Sequence, residues 1–195
     1  MSVPPPFGVP GAPGPPNHLE GAMGEMLWYL LVRDFVHEPP IRYITEPSSS
    51  PLDHGGDGLV VHETDGGGLM FRLWEVKKST SGPVASTVAT AFKQLDKRGT
   101  RYLAGIIPFE QRNPDPAVGA LVSRSMDAWI RGDAEAAAGV AVALSSGDMP
   151  DQCFSTMPDR FDRMRTPNRL RGLLTGLDDL RGFASRVQRE VWSGL

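Results

Sequence analysis

Two strand-like runs joined by a glycine-rich connection constrain this chain most. Residues 59–63 (LVVHE) and 69–77 (LMFRLWEVK) are rich in β-branched and aromatic residues, and Asp65-Gly66-Gly67-Gly68 between them predicts a β-hairpin. Once the hairpin is placed, several side chains are placed with it. Residues two apart on a strand share a face, so Glu75 and Lys77 project together, while Val76 points away and offers its backbone carbonyl near the strand end. Asp57 closes a turn His54-Gly55-Gly56-Asp57 and opens the first strand of the pair. The pattern therefore brings two carboxylates and an ammonium to neighbouring strand ends.

The flanking sequence supplies the rest of an α/β layer structure. Residues 1–16 are rich in Pro and Gly and read as a disordered leader. Asn17, with Glu20 three residues on, is a candidate capping box for a helix over 18–36 carrying Met23, Met26, Leu27, Leu30, Leu31 and Phe35 at helical spacing. Residues 42–45 predict a strand, and 47–51 a surface loop. After a turn at 79–82, Val84, Val88, Ala91, Phe92 and Leu95 predict a helix ending near Gly99, and 102–108 a short buried strand. Residues 117–130 read as a helix. The alanines of 134–144 favour helix, but Val140, Val142 and Leu144 alternate, which favours a strand from about Gly139. A long last helix is expected from Thr166 and Pro167, lined by Leu170, Leu173, Leu174, Leu177, Leu180, Phe183, Val187 and Val191. The fold expected is a mixed sheet flanked by helices, with a core over 17–108 and a C-terminal part over 109–195 of the same domain, ending in that helix.

With 195 residues and 40% hydrophobic content, the chain can bury one core, so multi-domain work such as helicase or transport activity would need partners. One cysteine, Cys153, allows no internal disulfide. No apolar run approaches the roughly 20 residues of a membrane span. A cytoplasmic location is expected. The net charge of −3 lacks the overall basic character of many nucleic-acid binders, but its distribution is uneven. Lys77, Lys78, Lys93, Lys97, Arg98 and Arg101 gather around the hairpin end; Arg160, Arg163, Arg165, Arg169 and Arg171 form a second basic stretch. Either could track phosphates, and either could be a solvated face balanced by Asp96, Asp159 and Asp162.

Two carboxylates and a carbonyl at one strand end suit a hard cation. Mg²⁺ takes oxygen ligands from one or two carboxylates and keeps waters and substrate oxygens in its remaining positions. Asp57 and Glu75 would supply the carboxylates, and a lysine beside them can orient or deprotonate water and offset charge on phosphoryl oxygens. Whether Lys77 can act as a base depends on burial that sequence does not show. A Glu-x-Lys tripeptide is common by chance; the surrounding element order gives it weight. The bland alternative is a turn aspartate next to a surface ion pair. Other residues read more simply: Glu20 as a cap, His54 as an exposed turn residue, Cys153 as an inert thiol, and Trp28, Trp74, Trp129 and Trp192 as core.

The arrangement resembles the PD-(D/E)XK nuclease superfamily, whose αβββαβ restriction-endonuclease-like core has the element order expected here over residues 18–107. The resemblance implies Asp57 and Glu75 as metal ligands with the Val76 carbonyl, Lys77 as the catalytic lysine, Glu25 on the first helix as a further acidic contact, and Gln94 near the site. It implies Mg²⁺ or Mn²⁺ as cofactor, nucleic acid, with DNA favoured, as substrate, and a 5′-phosphate product. Gly56 stands where the family name has proline. More narrowly, Gly24-Glu25 with Leu30-Leu31, then His54-Gly55-Gly56-Asp57-Gly58, then Glu75-Val76-Lys77 is similar to the nuclease subunit of Hachiman-type antiphage defence systems, the HamA-like group. That group tends to have an acidic residue where this chain has Ala22, and more often Glu-Ser-Lys in the tripeptide. The narrower resemblance implies a role in antiphage defence; the small size and near-neutral charge lead to the expectation of a partner such as a helicase or sensor that chooses the target, and the lack of a long apolar run to that of no membrane. The competing expectation is a non-catalytic interaction protein of the same fold.

Overall fold

A computed structural model describes residues 7–8, 16–47, 57–80, 82–110, 112–146 and 149–194. Most of the expected leader, residues 48–51, and the turn residues His54, Gly55 and Gly56 lie outside them. Within the leader, Phe7 departs from an unpacked segment: its carbonyl accepts a hydrogen bond from Gln188 Nε2 at 2.6 Å, and its ring packs on the apolar cluster under the last helix.

A five-stranded mixed sheet with helices on both faces forms the molecule. The elements are α1 (Pro16–Phe35), β1 (Ile41–Ile44), β2 (Gly58–Glu63), β3 (Leu69–Ser79), α2 (Val84–Glu110), α3 (Pro116–Arg131), β4 (Ala136–Leu144), the short α4 (Met157–Arg160), β5 (Leu170–Gly176) and α5 (Leu180–Ser193). Strand order follows chain order, β1-β2-β3-β4-β5; β1, β2 and β3 pair antiparallel, β3, β4 and β5 parallel. The hairpin has the predicted partners, with Glu63 opposite Leu69 and Gly58 opposite Trp74.

Alternation along the strands feeds two cores. Leu59, Val61, Phe71 and Leu73 face α2 and α3, with Phe92, Leu95, Leu103 and Trp129. Val60, Trp74 and Val76 face α1, where Trp28 and Val32 meet them and the Trp28 and Trp74 rings lie 5.8 Å apart. Trp28, Trp74 and Trp129 are core residues as expected, whereas Trp192 is only half-buried. β4 is buried at all nine positions. Its alanines reflect close packing on both faces rather than helix propensity, and Gly139 shows how close: a Cβ there would lie 2.4 Å from the Trp74 indole.

Three expectations fail for identifiable reasons. The strand predicted over 102–108 is instead the second half of α2. Gly99 does not stop the helix; a Cβ at this position would fall 2.6 Å from the Trp129 indole, so the glycine serves close helix packing. The long C-terminal helix is a strand followed by a helix. Leu170 and Leu174 face one core and Leu173 the other, which is period two, and the helix begins only after Asp179, whose Oδ1 accepts from Gly182 N at 2.8 Å. The region after residue 108 is therefore not a helical extension, since it adds β4 and β5 to the sheet. Finally, α1 begins at Pro16, so Asn17 lies within the helix and is not its cap.

Among the described residues no helix is long and apolar enough to cross a membrane.

Candidate functional site

The site begins with a packing constraint. A Cβ on Gly58 would overlap the Trp28 indole, at 1.9 Å from its Cη2, so α1 sits directly on the start of β2. Pairing between β2 and β3 stops at Gly58 and Trp74, while β3 runs on beside β4 to Ser79. Among the described residues no strand lies against the β2-side edge of β3 beyond Trp74. Asp57 occupies that edge: its Oδ2 accepts the Val76 N–H at 2.5 Å. The N–H and C=O of one strand residue point the same lateral way, so the Val76 carbonyl also faces the side where β2 has ended.

Glu75 and Lys77 leave β3 on the face towards α2. Lys77 Nζ donates to Glu75 Oε1 at 2.5 Å. Glu75 is 1% exposed, and its Oε2 is buried without a hydrogen-bond partner among the described residues. An orphaned buried carboxylate oxygen is costly and needs an explanation. Glu25 enters from α1, close enough that the charges of Glu75 and Lys77 are felt at its carboxyl.

The electrostatics are those of crowded anions. Burial pushes Glu25 up to about 7, against the pull of Lys77 and helped by repulsion from Glu75. Burial also raises Asp57 well above the ordinary carboxylate range, with repulsion from Glu75 and Glu25 adding to it; the Val76 N–H and Lys77 oppose this. Glu75 is raised by burial despite its bond to Lys77. Lys77 itself is raised, because Glu75 outweighs the cost of burial, so it is an ammonium and not a ready base in the metal-free protein. Fully ionised, three carboxylates face one ammonium.

Gln94 lies on α2 and reaches this group through an intermediary. Its Nε2 donates to the Tyr102 hydroxyl at 2.8 Å, and that hydroxyl in turn favours the ionised form of Glu75. Tyr102 is buried, and Arg98, between them in sequence, interacts with both Tyr102 and Glu75. Tyr102 was not among the residues expected here, because a strand over 102–108 would have pointed it elsewhere. The signal was present in the spacing: Gln94, Arg98 and Tyr102 repeat every four residues, one stripe of a continuous helix.

Two further residues differ from their sequence reading. Glu20 caps nothing; buried on α1, it accepts from Lys78 Nζ at 2.5 Å and Arg181 Nε at 2.7 Å. Burial raises its pKa, but these two cations more than offset that and hold it below the usual value. The clamp ties α1 to the end of β3 and to α5. The second basic stretch is largely structural: Arg169 donates to the carbonyls of Ala136, Arg163, Gly132 and Asp133, Arg165 pairs with Asp159 and Asp162, and Arg163 stacks over Trp129. Cys153 is buried, and burial raises its thiol pKa, in keeping with an inert side chain.

Among the described residues no three His, Cys, Asp or Glu side chains form a ready-made metal cage. The donors at the open edge are the Asp57 carboxylate, the orphaned Glu75 Oε2 and the Val76 carbonyl, all oxygen. That set fits Mg²⁺ or Mn²⁺, which keep several waters, better than an ion requiring a full protein cage. No protein-family model and no curated protein matches the chain.

Proposed function

We propose that this protein is a metal-dependent phosphodiesterase of the PD-(D/E)XK type, cutting nucleic acid, and DNA in preference to RNA. The observation that carries the proposal is the buried Glu75 carboxylate, held by Lys77 on the same strand and close to Asp57 where the described β2 has stopped, with an Oε2 that has no geometric hydrogen-bond partner among the described residues. The element order supports it as well, with β4 as the strand that follows the helices after β3.

A divalent cation bound here would supply Lewis-acid stabilisation of the phosphoryl oxygens and lower the pKa of a bound water. The chain's own residues do the rest. Asp57, locked by the Val76 N–H, and Glu75, gripped by Lys77, hold their oxygens in place before substrate arrives. As an ammonium, Lys77 orients the attacking water and offsets negative charge growing on the phosphate. Glu25 adds a third carboxyl, raised by burial to about 7, so it gives up its proton near neutral pH. Tyr102, fixed by Gln94, steadies Glu75 from the α2 side.

The turn and helix motifs shared with the Hachiman-type nuclease subunit support a role in antiphage defence, within a complex in which a helicase or sensor chooses the target. Purification from native cells should then recover such a partner with the chain, and recovery of the lone chain would contradict that role.

A cleavage assay tests the catalytic proposal. The parent with Mg²⁺ or Mn²⁺ should cut at least one member of a panel of single- and double-stranded DNA and RNA. Asp57→Ala, Glu75→Ala and Lys77→Ala should each lose roughly 10³-fold or more, since the cation contributes several kcal/mol to the transition state, while circular dichroism shows them folded. Variants that cut as well as the parent would overturn the site.

A further inference from the structure

Beside the carboxylate group, α2 presents a second chemistry. Lys93, Lys97 and Arg101 are exposed and repeat every four residues, so they form one ridge about 12 Å long at 1.5 Å rise per residue. None of the three forms an ion pair among the described residues, unlike Arg33, Arg42, Arg124, Arg131 and Arg165, each of which faces a carboxylate. The one acid within this stretch of α2, Asp96, points to the other flank and meets Arg163.

At about 100° per residue, Lys97 lies about 60° around α2 from Gln94, and Arg101 the same angle from Arg98. Going round the helix, the order is core, then the stripe Gln94, Arg98 and Tyr102 that borders Glu75, then the ridge. Three cations with no ion pair among the described residues therefore lie on the outer face of α2, next to the stripe that borders Glu75, in a chain whose net charge is −3. A surface that merely needed solubility would not concentrate cations where the rest of the molecule would repel a polyanion.

We propose that this ridge is the track for the nucleic-acid backbone, with Lys93, Lys97 and Arg101 contacting successive phosphates on one side of the strand whose scissile group lies at Glu75 and Lys77. The inference rests on the nuclease reading for the identity of the polyanion. Contacts of this kind position the strand without reading its sequence. The ridge should therefore govern affinity and salt sensitivity, and leave the chemical step to the acids and Lys77.

The test compares two triple variants of equal charge in a Glu75→Gln background that does not cut. One is Lys93→Gln, Lys97→Gln and Arg101→Gln; the other, a control, is Arg33→Gln, Arg131→Gln and Arg189→Gln on other surfaces. Binding of a fluorescein-labelled 20-nucleotide DNA, single- and double-stranded, is followed by anisotropy from low to high salt. Each lost phosphate contact lowers the slope of log affinity against log salt by about 0.7 for single strands and 0.9 for duplex. The ridge variant should lose about 2 to 3 in slope and the control less than 1. Equal slopes for the ridge variant and its Glu75→Gln parent, equal losses in both variants, or no DNA binding by that parent would overturn the track. Cleavage by the otherwise unaltered chain is assayed separately with Mg²⁺. A chain that binds along the ridge but does not cut defeats the nuclease reading and leaves the track; one that cuts with an unchanged slope defeats the track alone. In the cutting background, the ridge variant should raise KM and leave kcat near that of the parent.

Discussion

The two ends of β3 bury opposite charges, and they do so in different ways. At one end Arg72 and His62 are both 0% exposed. The guanidinium can only donate, so its Nη1 bonds to the His62 Nε2 lone pair at 2.7 Å; His62 then carries its proton on Nδ1 and donates to the Pro39 carbonyl at 3.0 Å. A second guanidinium nitrogen donates to the Asn168 carbonyl, while Nε lacks a partner among the described residues. This end lies between paired strands, with Arg72 opposite Val60 on one side and Ala137 on the other. At the far end Glu75 and Asp57 sit where β2 has stopped, with a third acid nearby. Burying a charge is thus not in itself a sign of function. A closed pair enclosed by sheet is architecture, whereas three carboxyls gathered at one strand end, each raised in pKa by burial, with repulsion adding to it at Glu25 and Asp57, are the pattern of a functional site.

That contrast can be broken most forcefully by pH. In the metal-free protein Glu25 is raised to about 7 from 4.5, so the folded state keeps a proton that the unfolded state releases; stability should fall as pH rises through that window. His62 is lowered to about 4 from 6.5 by burial and then by Arg72, so the unfolded state takes up a proton that the folded state refuses; stability should fall as pH drops through that window. Each window is worth at most roughly 3 kcal/mol, and the two oppose each other between about pH 4.5 and 6.5. Urea denaturation at pH 5 and 8 should show Glu25→Gln gaining stability at the higher pH relative to the parent, and His62→Gln gaining at the lower. Mg²⁺ should suppress the Glu25 effect and leave the His62 effect in place. Both variants following the parent profile would erase the distinction.

Arg72→Met sharpens the same contrast with a smaller effect. It leaves the His62 Nε2 and Asn168 carbonyl without a donor, a cost of about 1–3 kcal/mol per buried group. Part of this is offset by no longer burying a cation. A net loss of about 2 kcal/mol is expected by urea denaturation, most of it recovered in Arg72→Met/His62→Leu, with cleavage per folded molecule within about twofold of the parent. The smallest effect is expected at Tyr102. Tyr102→Phe removes the hydroxyl between Gln94 and Glu75 and should lower kcat or weaken metal affinity about tenfold, the lower range for a group supporting a ligand. A rise in KM for nucleic acid alone would place Tyr102 in substrate binding instead.

The hairpin was legible because its pattern is local: alternating apolar residues and a glycine-rich turn fix which side chains share a face. The same locality placed Asp57, Glu75 and Lys77 at one end, whereas Glu25 came only with the family resemblance, since the apolar period of α1 alone fits the solvent edge of its stripe as well. Long-range packing hid the rest. Gly99 reads as a helix stop until Trp129, thirty residues on, is seen against it. Leu170, Leu173 and Leu174 fit a helix as well as a strand, and only the presence of β4 beside them decides. Glu20 reads as a cap because its partners Lys78 and Arg181 are remote in sequence. Tyr102 was lost with the misread strand, and Gln94 reaches the group only through it.

The central claim is that the open end of β3 is a divalent-cation site. Calorimetric titration of the metal-free protein with Mn²⁺ at pH 8 tests it without relying on any substrate. The parent should bind with a saturable single-site isotherm, and Asp57→Asn and Glu75→Gln should each weaken that binding at least about tenfold, while Arg72→Met leaves it unchanged. No binding by the parent, or equal binding by the two acid variants, would contradict the account.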